Sequence, residues 1–359
     1  MSFPAVIESA ESGTESIWPI WGHDTAVDVL SQAIARGRVR HAYAITGPEG
    51  VGKSTLATAF AQALCCEESQ RPGTACGACR SCRKIARGVH PDVQTYSLET
   101  QAETAEKAGR QNTSLTIDTV RALSAATALR PMEGRWRIVI VEDAETLQEI
   151  AQEALLKTLE EPPSYMVLLL LTNDPDVLLP TIQSRCQRID LRPVSRAVIS
   201  DGLVGVGVSV ADAEQIAGLA AGRPGWARQA ATDKKVIQQR LDAVEQAVSW
   251  IGGSGYERLV TAVRLGDSFT KRREATYEAL DTVLGVWRDI LLVRAEAPQF
   301  LNHQGHGERL RELAREWGLA EVHRAVCSVQ TCIGDLEMNV RPRLAMEAMV
   351  LQWPNLPRR

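Results

Sequence analysis

The chain has 359 residues, 45% of them hydrophobic and 23% charged, and a formal charge of -4. That length can bury substantial cores and suggests two or three domains. The mildly acidic balance excludes a strong global attraction to nucleic acid, so contact with DNA needs a local basic patch or a partner's surface.

Residues 1–17 are polar and acidic, without the basic flank or apolar centre of a signal peptide, and read as a flexible tail of a cytoplasmic protein. No apolar run approaches 18 residues, so no membrane span is expected. From about residue 20 to 191, amphipathic helices alternate with short apolar runs at 42–46, 137–141 and 166–172. Such runs predict buried parallel strands. With helices at 53–64 and 144–159, this half, 18–192, reads as an α/β core with a parallel sheet.

The first run leads into Gly47-Pro48-Glu49-Gly50-Val51-Gly52-Lys53-Ser54, which fits G-x-x-x-x-G-K-[ST] between a strand and a helix. Gly47, Gly50 and Gly52 let backbone N–H groups face phosphates, and the helix N-terminus adds positive potential. Lys53 would reach the β- and γ-phosphates of ATP. Ser54, beside Thr55, would help hold Mg²⁺. The plain alternative is a glycine-rich turn with no ligand.

Next come Cys76, Cys79 and Cys82 at three-residue intervals, preceded by Cys65 and Cys66. In a chain without a secretion signal, clustered cysteines favour metal-bound thiolates over disulfides. The spacing suits a closed, tetrahedral, structural Zn²⁺ site in a module at 65–84. Its fourth ligand is Cys66 or Cys65, Cys66 being favoured. Zinc can contribute roughly 10–16 kcal/mol to folding such a module, and Arg80, Arg83, Lys84 and Arg87 would offset the thiolate charge. Unliganded buried thiols are the alternative. A redox Cys-x-x-Cys fits less well because a third cysteine continues the spacing. The polar stretch 99–114 is expected to be a mobile loop.

The second run ends in Glu142-Asp143, the acidic partner a P-loop needs for Mg²⁺ and water. Both acids also suit capping of the following helix. After residue 193 helical spacing dominates, at 212–221 and 234–250, with Gly222-Arg223-Pro224-Gly225 between them. Gly252-Gly253-Ser254-Gly255 reads as a linker to further helices at 272–294, 308–317 and 320–336. Three parts result: the core, a small helical domain at 193–252 and a larger helical domain at 253–359.

Over roughly residues 18 to 350 the chain resembles the bacterial clamp-loader subunits of DNA polymerase III, within the AAA+ ATPases. The residues carrying this are the P-loop with its cysteine segment, Ala154-Leu155-Leu156-Lys157-Thr158-Leu159-Glu160-Glu161-Pro162-Pro163, Leu171-Thr172-Asn173-Asp174-Pro175 and Ser184-Arg185-Cys186. The resemblance implies an AAA+ P-loop core with a zinc-binding insertion, a small helical domain and an all-α collar for ring assembly. It also implies that Arg185 is an arginine finger acting in trans on a neighbour's ATP. A guanidinium can fork to γ-phosphate oxygens, and such fingers are worth about 10³–10⁵ in rate. A surface arginine is the alternative. Thr172 and Asn173 would sense the γ-phosphate, or simply form a strand-ending turn.

Two kinds of subunit in that family differ at residues present here: the ATP-hydrolysing gamma/tau-like motor and the delta-prime kind, which generally lacks full catalytic equipment. The family's motor strand ends Asp-Glu, whereas this one ends Glu142-Asp143, and a misplacement of about 1 Å can cost on the order of 100-fold in rate. Gly225 stands where the motor has its sensor arginine, Arg223 and Arg228 do not match position for position, and motors extend past the collar, where this chain ends. These features imply the delta-prime kind, with little ATPase activity alone. Its P-loop is intact, so ATP binding stays open. Segments around Trp287-Arg288-Asp289 and Asn339-Val340-Arg341-Pro342 resemble the collar, although ordinary helix packing explains them equally. The implied partners are motor and delta subunits in a hetero-oligomeric ring, with the sliding clamp and primed DNA engaged through that complex. A self-sufficient ATPase is the second reading, and a small-molecule kinase a weaker third.

Overall fold

A computed structural model describes residues 18–69, 71–105, 114–338 and 340–355. The expected tail at 1–17, residues 106–113 of the expected mobile loop, and Asn339 lie outside them. By contacts the chain divides into two compact units, one reaching Gly202 and including Gly222–Trp226, the other comprising Leu203–Ala221 and everything from Ala227.

The first unit is a parallel sheet wrapped by helices. In chain order it contains α1 (Asp24–Ala35), β1 (Ala42–Thr46), α2 (Lys53–Cys65), α3 (Arg80–Ala86), β2 (Val93–Tyr96), α4 (Leu98–Ala105), α5 (Ile117–Ala128), β3 (Arg137–Val141), α6 (Glu149–Glu160), β4 (Met166–Thr172), α7 (Pro180–Gln183), β5 (Gln187–Asp190) and the start of α8 (Arg196–Gly205). The strand order is β2-β3-β4-β1-β5, every pair parallel. Every residue of β1, β3 and β4 is buried, which is why these strands appear as almost wholly apolar runs, with Thr46, Arg137 and Thr172 at their ends. Strands β2 and β5 escaped the sequence pattern because they form the two edges. Partly covered, they carry Gln94, Thr95, Gln187, Arg188 and Asp190 instead of an apolar run.

Two local details depart from expectation. The helix expected from residue 144 begins at Glu149, after a 3₁₀ turn over Ala144–Thr146 that Asp143 enters in the left-handed conformation, φ 53°. Asp143 makes no side-chain cap on that turn. The stretch expected to be a mobile loop begins instead as α4, where Ser97 and Thr100 exchange side-chain and backbone hydrogen bonds.

The second unit is helical: α9 (Val210–Ala220), most of α10 (Pro224–Thr232), α11 (Lys234–Gly252), α12 (Gly255–Ser268), α13 (Arg273–Arg294), α14 (Gly307–Glu316), α15 (Leu319–Glu337) and α16 (Pro342–Leu351). Gly252 ends α11, and Ser254 starts α12 with a reciprocal capping box to Glu257. Its core holds Trp250, Trp287, Trp317 and Trp353 around Arg258, which is only 2% exposed. The Arg258 guanidinium lies over the rings of Trp317 and Trp353 at 5.7 and 5.8 Å, and donates to the Pro354 carbonyl at 2.6 Å and to that of Ile251. A buried charge is tolerable here because carbonyls and aromatic faces replace water around it.

Candidate functional site: a phosphate loop and a cysteine cluster

The P-loop leaves the carboxyl end of β1, with β4 and β5 on either side, so its mouth opens beyond the carboxyl ends of a parallel sheet, where such folds bind ligands. Gly47, Gly50 and Gly52 have φ of 144°, 73° and 114°, all in the region that favours glycine. At Gly47 a Cβ would lie 2.3 Å from the Leu191 carbonyl oxygen, so the position is closed to a side chain on two counts. The Gly47 N–H donates to the Thr172 carbonyl at 3.2 Å.

Lys53 opens α2, with Ser54 and Thr55 in the same first turn. Its Nζ donates to the carbonyls of Gly47 at 2.7 Å and Pro48 at 3.1 Å, and to Asn173 Oδ1 at 2.5 Å. Burial lowers the Lys53 pKa, while Glu145, Glu49, Asp143 and Glu142 pull it upward. The structure thus gathers the loop, the acids after β3 and the residues after β4 around one ammonium. Asn173 belongs to this group. Thr172 does not extend into it, because its hydroxyl donates to the Asp174 carbonyl at 2.8 Å and accepts the Asp174 N–H at 3.2 Å, closing the strand-end turn.

Glu142 directly follows β3, its N–H bonded to the Tyr96 carbonyl at 2.8 Å. Asp143 has a raised pKa, first from burial and then from the charges of Glu145 and Glu142, against a backbone hydrogen bond from Leu98 at the start of α4. The two acids are therefore unequal in surroundings as well as in length.

Two contacts went unseen in the sequence. Glu145 accepts from the Asn173 side chain at 2.7 Å and its backbone N–H at 3.3 Å. The only cue was a third acid in Glu142-Asp143-Ala144-Glu145. The Gly222–Trp226 turn sits on the P-loop: the Gly225 N–H donates to the Gly50 carbonyl at 2.9 Å, and a Cβ on Gly225 would stand 2.9 Å from that oxygen. Gly225 thus permits a close backbone approach, which sequence spacing does not reveal.

Arg185 is not among the Lys53 contacts. It follows α7, is 35% exposed, and pairs with Glu160 at 2.9 Å while donating to the Thr181 carbonyl at 2.9 Å. The guanidinium is held by Glu160 at the end of α6, with part of its surface open.

The sulfurs of Cys66, Cys76, Cys79 and Cys82 all lie within 4.8 Å of one another. A tetrahedral Zn–S bond of about 2.3 Å places sulfurs about 3.8 Å apart, so the cluster has room for one ion. Backbone N–H groups support the set: Cys76 donates to the Cys66 sulfur at 3.3 Å, Cys79 to Cys76 at 3.2 Å and Cys82 to Cys79 at 3.4 Å. Burial raises the Cys66 and Cys82 thiols. At Cys79, burial is outweighed by hydrogen bonds from the backbone of Cys82 and Glu67, which bring the thiol down to about 7. Four thiols so close suit a cation that holds them as thiolates. Cys65 is elsewhere, buried in the sheet's core with its thiol pushed up to about 12 by burial. Of the nearby cations, Lys84 is committed to Glu133 at 2.5 Å, while Arg80, Arg83 and Arg87 are exposed.

Residues 22–195 match the family model described as DNA polymerase III, delta subunit. DNA polymerase III subunit delta' of Pseudomonas aeruginosa is 42% identical over 156 residues, 44% of this chain and 44% of that protein. DNA polymerase III subunit tau/gamma of Haemophilus influenzae is 32% identical over 182 residues, 51% of this chain and 24% of that protein. The chain thus spans less than half the length of these relatives. Among solved structures, a DNA polymerase III gamma subunit-related protein of Thermotoga maritima aligns over 91% of this chain and 98% of its own, with 18% identity and a TM-score of 0.42. The resemblance to DNA polymerase III subunits is borne out over the first half of the chain.

Proposed function

We propose that this chain is a delta-prime subunit of a bacterial DNA polymerase III clamp loader, an AAA+ protein that helps place the sliding clamp on primed DNA. The observation that carries this reading is the 42% identity over 156 residues to a delta' subunit, against 32% over 182 residues for a tau/gamma subunit. Two local features agree with it. Glu142 precedes Asp143, which crowds the metal position and withdraws the acid that would orient water, and Gly225 offers no side chain at the turn resting on the P-loop.

In this reading the chain joins motor and delta subunits through its helical collar at 253–359, with 193–252 as a small helical domain that follows the core at 18–192 in sequence. Gly47, Gly50, Gly52, Lys53, Ser54 and Thr55 bind ATP with Mg²⁺, Asn173 borders its γ-phosphate while the Thr172 hydroxyl stays in the strand-end turn, and turnover is slow. Arg185 leaves Glu160 to meet an adjacent subunit's ATP, an exchange of one exposed anion for another that costs little, because surface ion pairs contribute about 0–1 kcal/mol. Cys66, Cys76, Cys79 and Cys82 hold a structural Zn²⁺ that braces the end of α2 against α3. No described helix is long and apolar enough to cross a membrane, and the proposed location is the cytoplasm.

The test is Arg185→Ala in a complex reconstituted with motor and delta subunits. ATP turnover should fall at least tenfold at the site the arginine faces, with assembly intact by native mass spectrometry. Unchanged turnover removes the finger assignment, and failure to join the complex removes the subunit assignment.

A further inference from the structure

Glu145 belongs to none of the motifs in this chain, yet it closes a chain of hydrogen bonds ending on the P-loop lysine. An ionised carboxylate only accepts. Glu145 therefore dictates which end of the Asn173 amide faces it: Nδ2 donates to Glu145 at 2.7 Å, and the Asn173 backbone N–H donates to its other oxygen at 3.3 Å. The amide oxygen is left pointing at Lys53 Nζ, 2.5 Å away. An ammonium has three N–H donors, and the carbonyls of Gly47 and Pro48 at 2.7 and 3.1 Å take the other two. Every donor of Lys53 is thus occupied by protein oxygen. A phosphate that uses this lysine must displace one of them.

The three acceptors are not equivalent. The two carbonyls belong to the loop itself and turn with it. The Asn173 oxygen comes from the end of a neighbouring strand and is strengthened by the charge behind its amide, because hydrogen bonds in series polarise one another. We propose that Glu145 is a positioning residue that latches Lys53 through Asn173, so that the Glu145–Asn173 pair sets how readily the P-loop accepts a nucleotide phosphate. The proposal rests on the nucleotide-binding reading of the loop. Of the four acids acting on Lys53, Glu145 acts most strongly. Releasing the latch exchanges a protein oxygen for a phosphate oxygen on the same donor, with no covalent change.

The experiment is equilibrium binding of mant-ATP with Mg²⁺ to the full chain and to Glu145→Gln, Asn173→Ala and the double variant, each checked for an unchanged melting transition. Glutamine can present either end of its amide and carries no charge, so it loosens the latch without emptying the position. Replacing a charge-assisted hydrogen bond by a neutral one should tighten mant-ATP binding about tenfold in Glu145→Gln, and Asn173→Ala, which also removes a side chain from the phosphate's border, is the background against which the effect of Glu145 is read. The double variant should be no tighter than Asn173→Ala alone, because Glu145 acts through Asn173. An unchanged affinity in Glu145→Gln, with the parent chain binding normally, overturns the latch. So does a Glu145→Gln effect that persists in full without Asn173, since that is charge removal alone. Absence of binding in all four proteins defeats the nucleotide reading itself, and the latch with it.

Discussion

Lys53 is the residue on which most of the site depends, and its surroundings carry two predictions. Gly47→Ala places a side chain at φ 144° and 2.3 Å from a carbonyl oxygen. The substitution should cost roughly 1–3 kcal/mol of backbone strain beyond the steric clash, seen as a lower melting temperature and loss of mant-ATP binding. An equal melting temperature would mean that the loop relaxes freely. The second concerns Asp143, whose pKa is raised by burial and by Glu145 and Glu142. Folded Asp143 holds its proton to a higher pH than the unfolded chain does, so between the ordinary carboxylate value of 3.8 and the raised one the native state binds more protons. Its contribution to stability therefore declines as pH rises through that window and stays unfavourable at neutral pH. Asp143→Asn should raise the melting temperature at pH 7 and lessen its pH dependence near the raised pKa. A lower melting temperature at pH 7 would contradict this. At this scale the glycines, Lys53 and the acidic pair were legible because a phosphate loop needs fixed residue types at fixed spacing. Glu145 was not, because an acid meeting an asparagine 28 positions later leaves no local pattern.

Among the elements, the three central strands could be read at their full lengths because burial on both faces demands continuous apolar sequence. The edge strands could not, because half-covered strands accept polar residues and then resemble loop. The cysteine segment lies between these cases. Its spacing announced a cluster of thiols, but the choice between adjacent cysteines depended on where α2 ends. Cys65 is the last helical residue and faces the core, whereas Cys66 is extended and turns out to the cluster. One zinc per chain is expected by elemental analysis, lost on Cys66→Ser or Cys82→Ser and retained on Cys65→Ser. Retention in Cys66→Ser with loss in Cys65→Ser would reverse the assignment. Gly73 ties the module back to the core, taking the Trp18 indole N–H on its carbonyl at 3.2 Å and packing with no room for a Cβ against the Ser31 carbonyl oxygen. Chelation should therefore loosen the end of α2 and the segment around Trp18, detected as a rise in hydrogen exchange there.

At the scale of the molecule, a P-loop sheet and a separate helical unit each have a full core of their own. The helical unit is organised around Arg258, and Arg258→Met should destabilise it by about 3 kcal/mol, since the carbonyls of Pro354 and Ile251 lose charged donors within a tryptophan shell. A change within 0.5 kcal/mol would mean that the shell repacks around the apolar chain. Periodicity in the sequence made α9, α11, α13, α14 and α15 visible but not α10, α12 or α16, while the charge at the centre of the unit was indistinguishable from any surface arginine. On the proposed delta-prime reading, a chain with an intact phosphate loop works chiefly on its neighbours' nucleotide. The most direct test is steady-state ATP hydrolysis by the purified chain alone, followed by hydrolysis in complex with motor subunits, delta subunit and primed DNA. Turnover should be negligible for the chain alone, and in the complex should depend on Arg185 and barely on Lys53. Brisk, Lys53-dependent turnover by the isolated chain would contradict that reading and make this chain a motor.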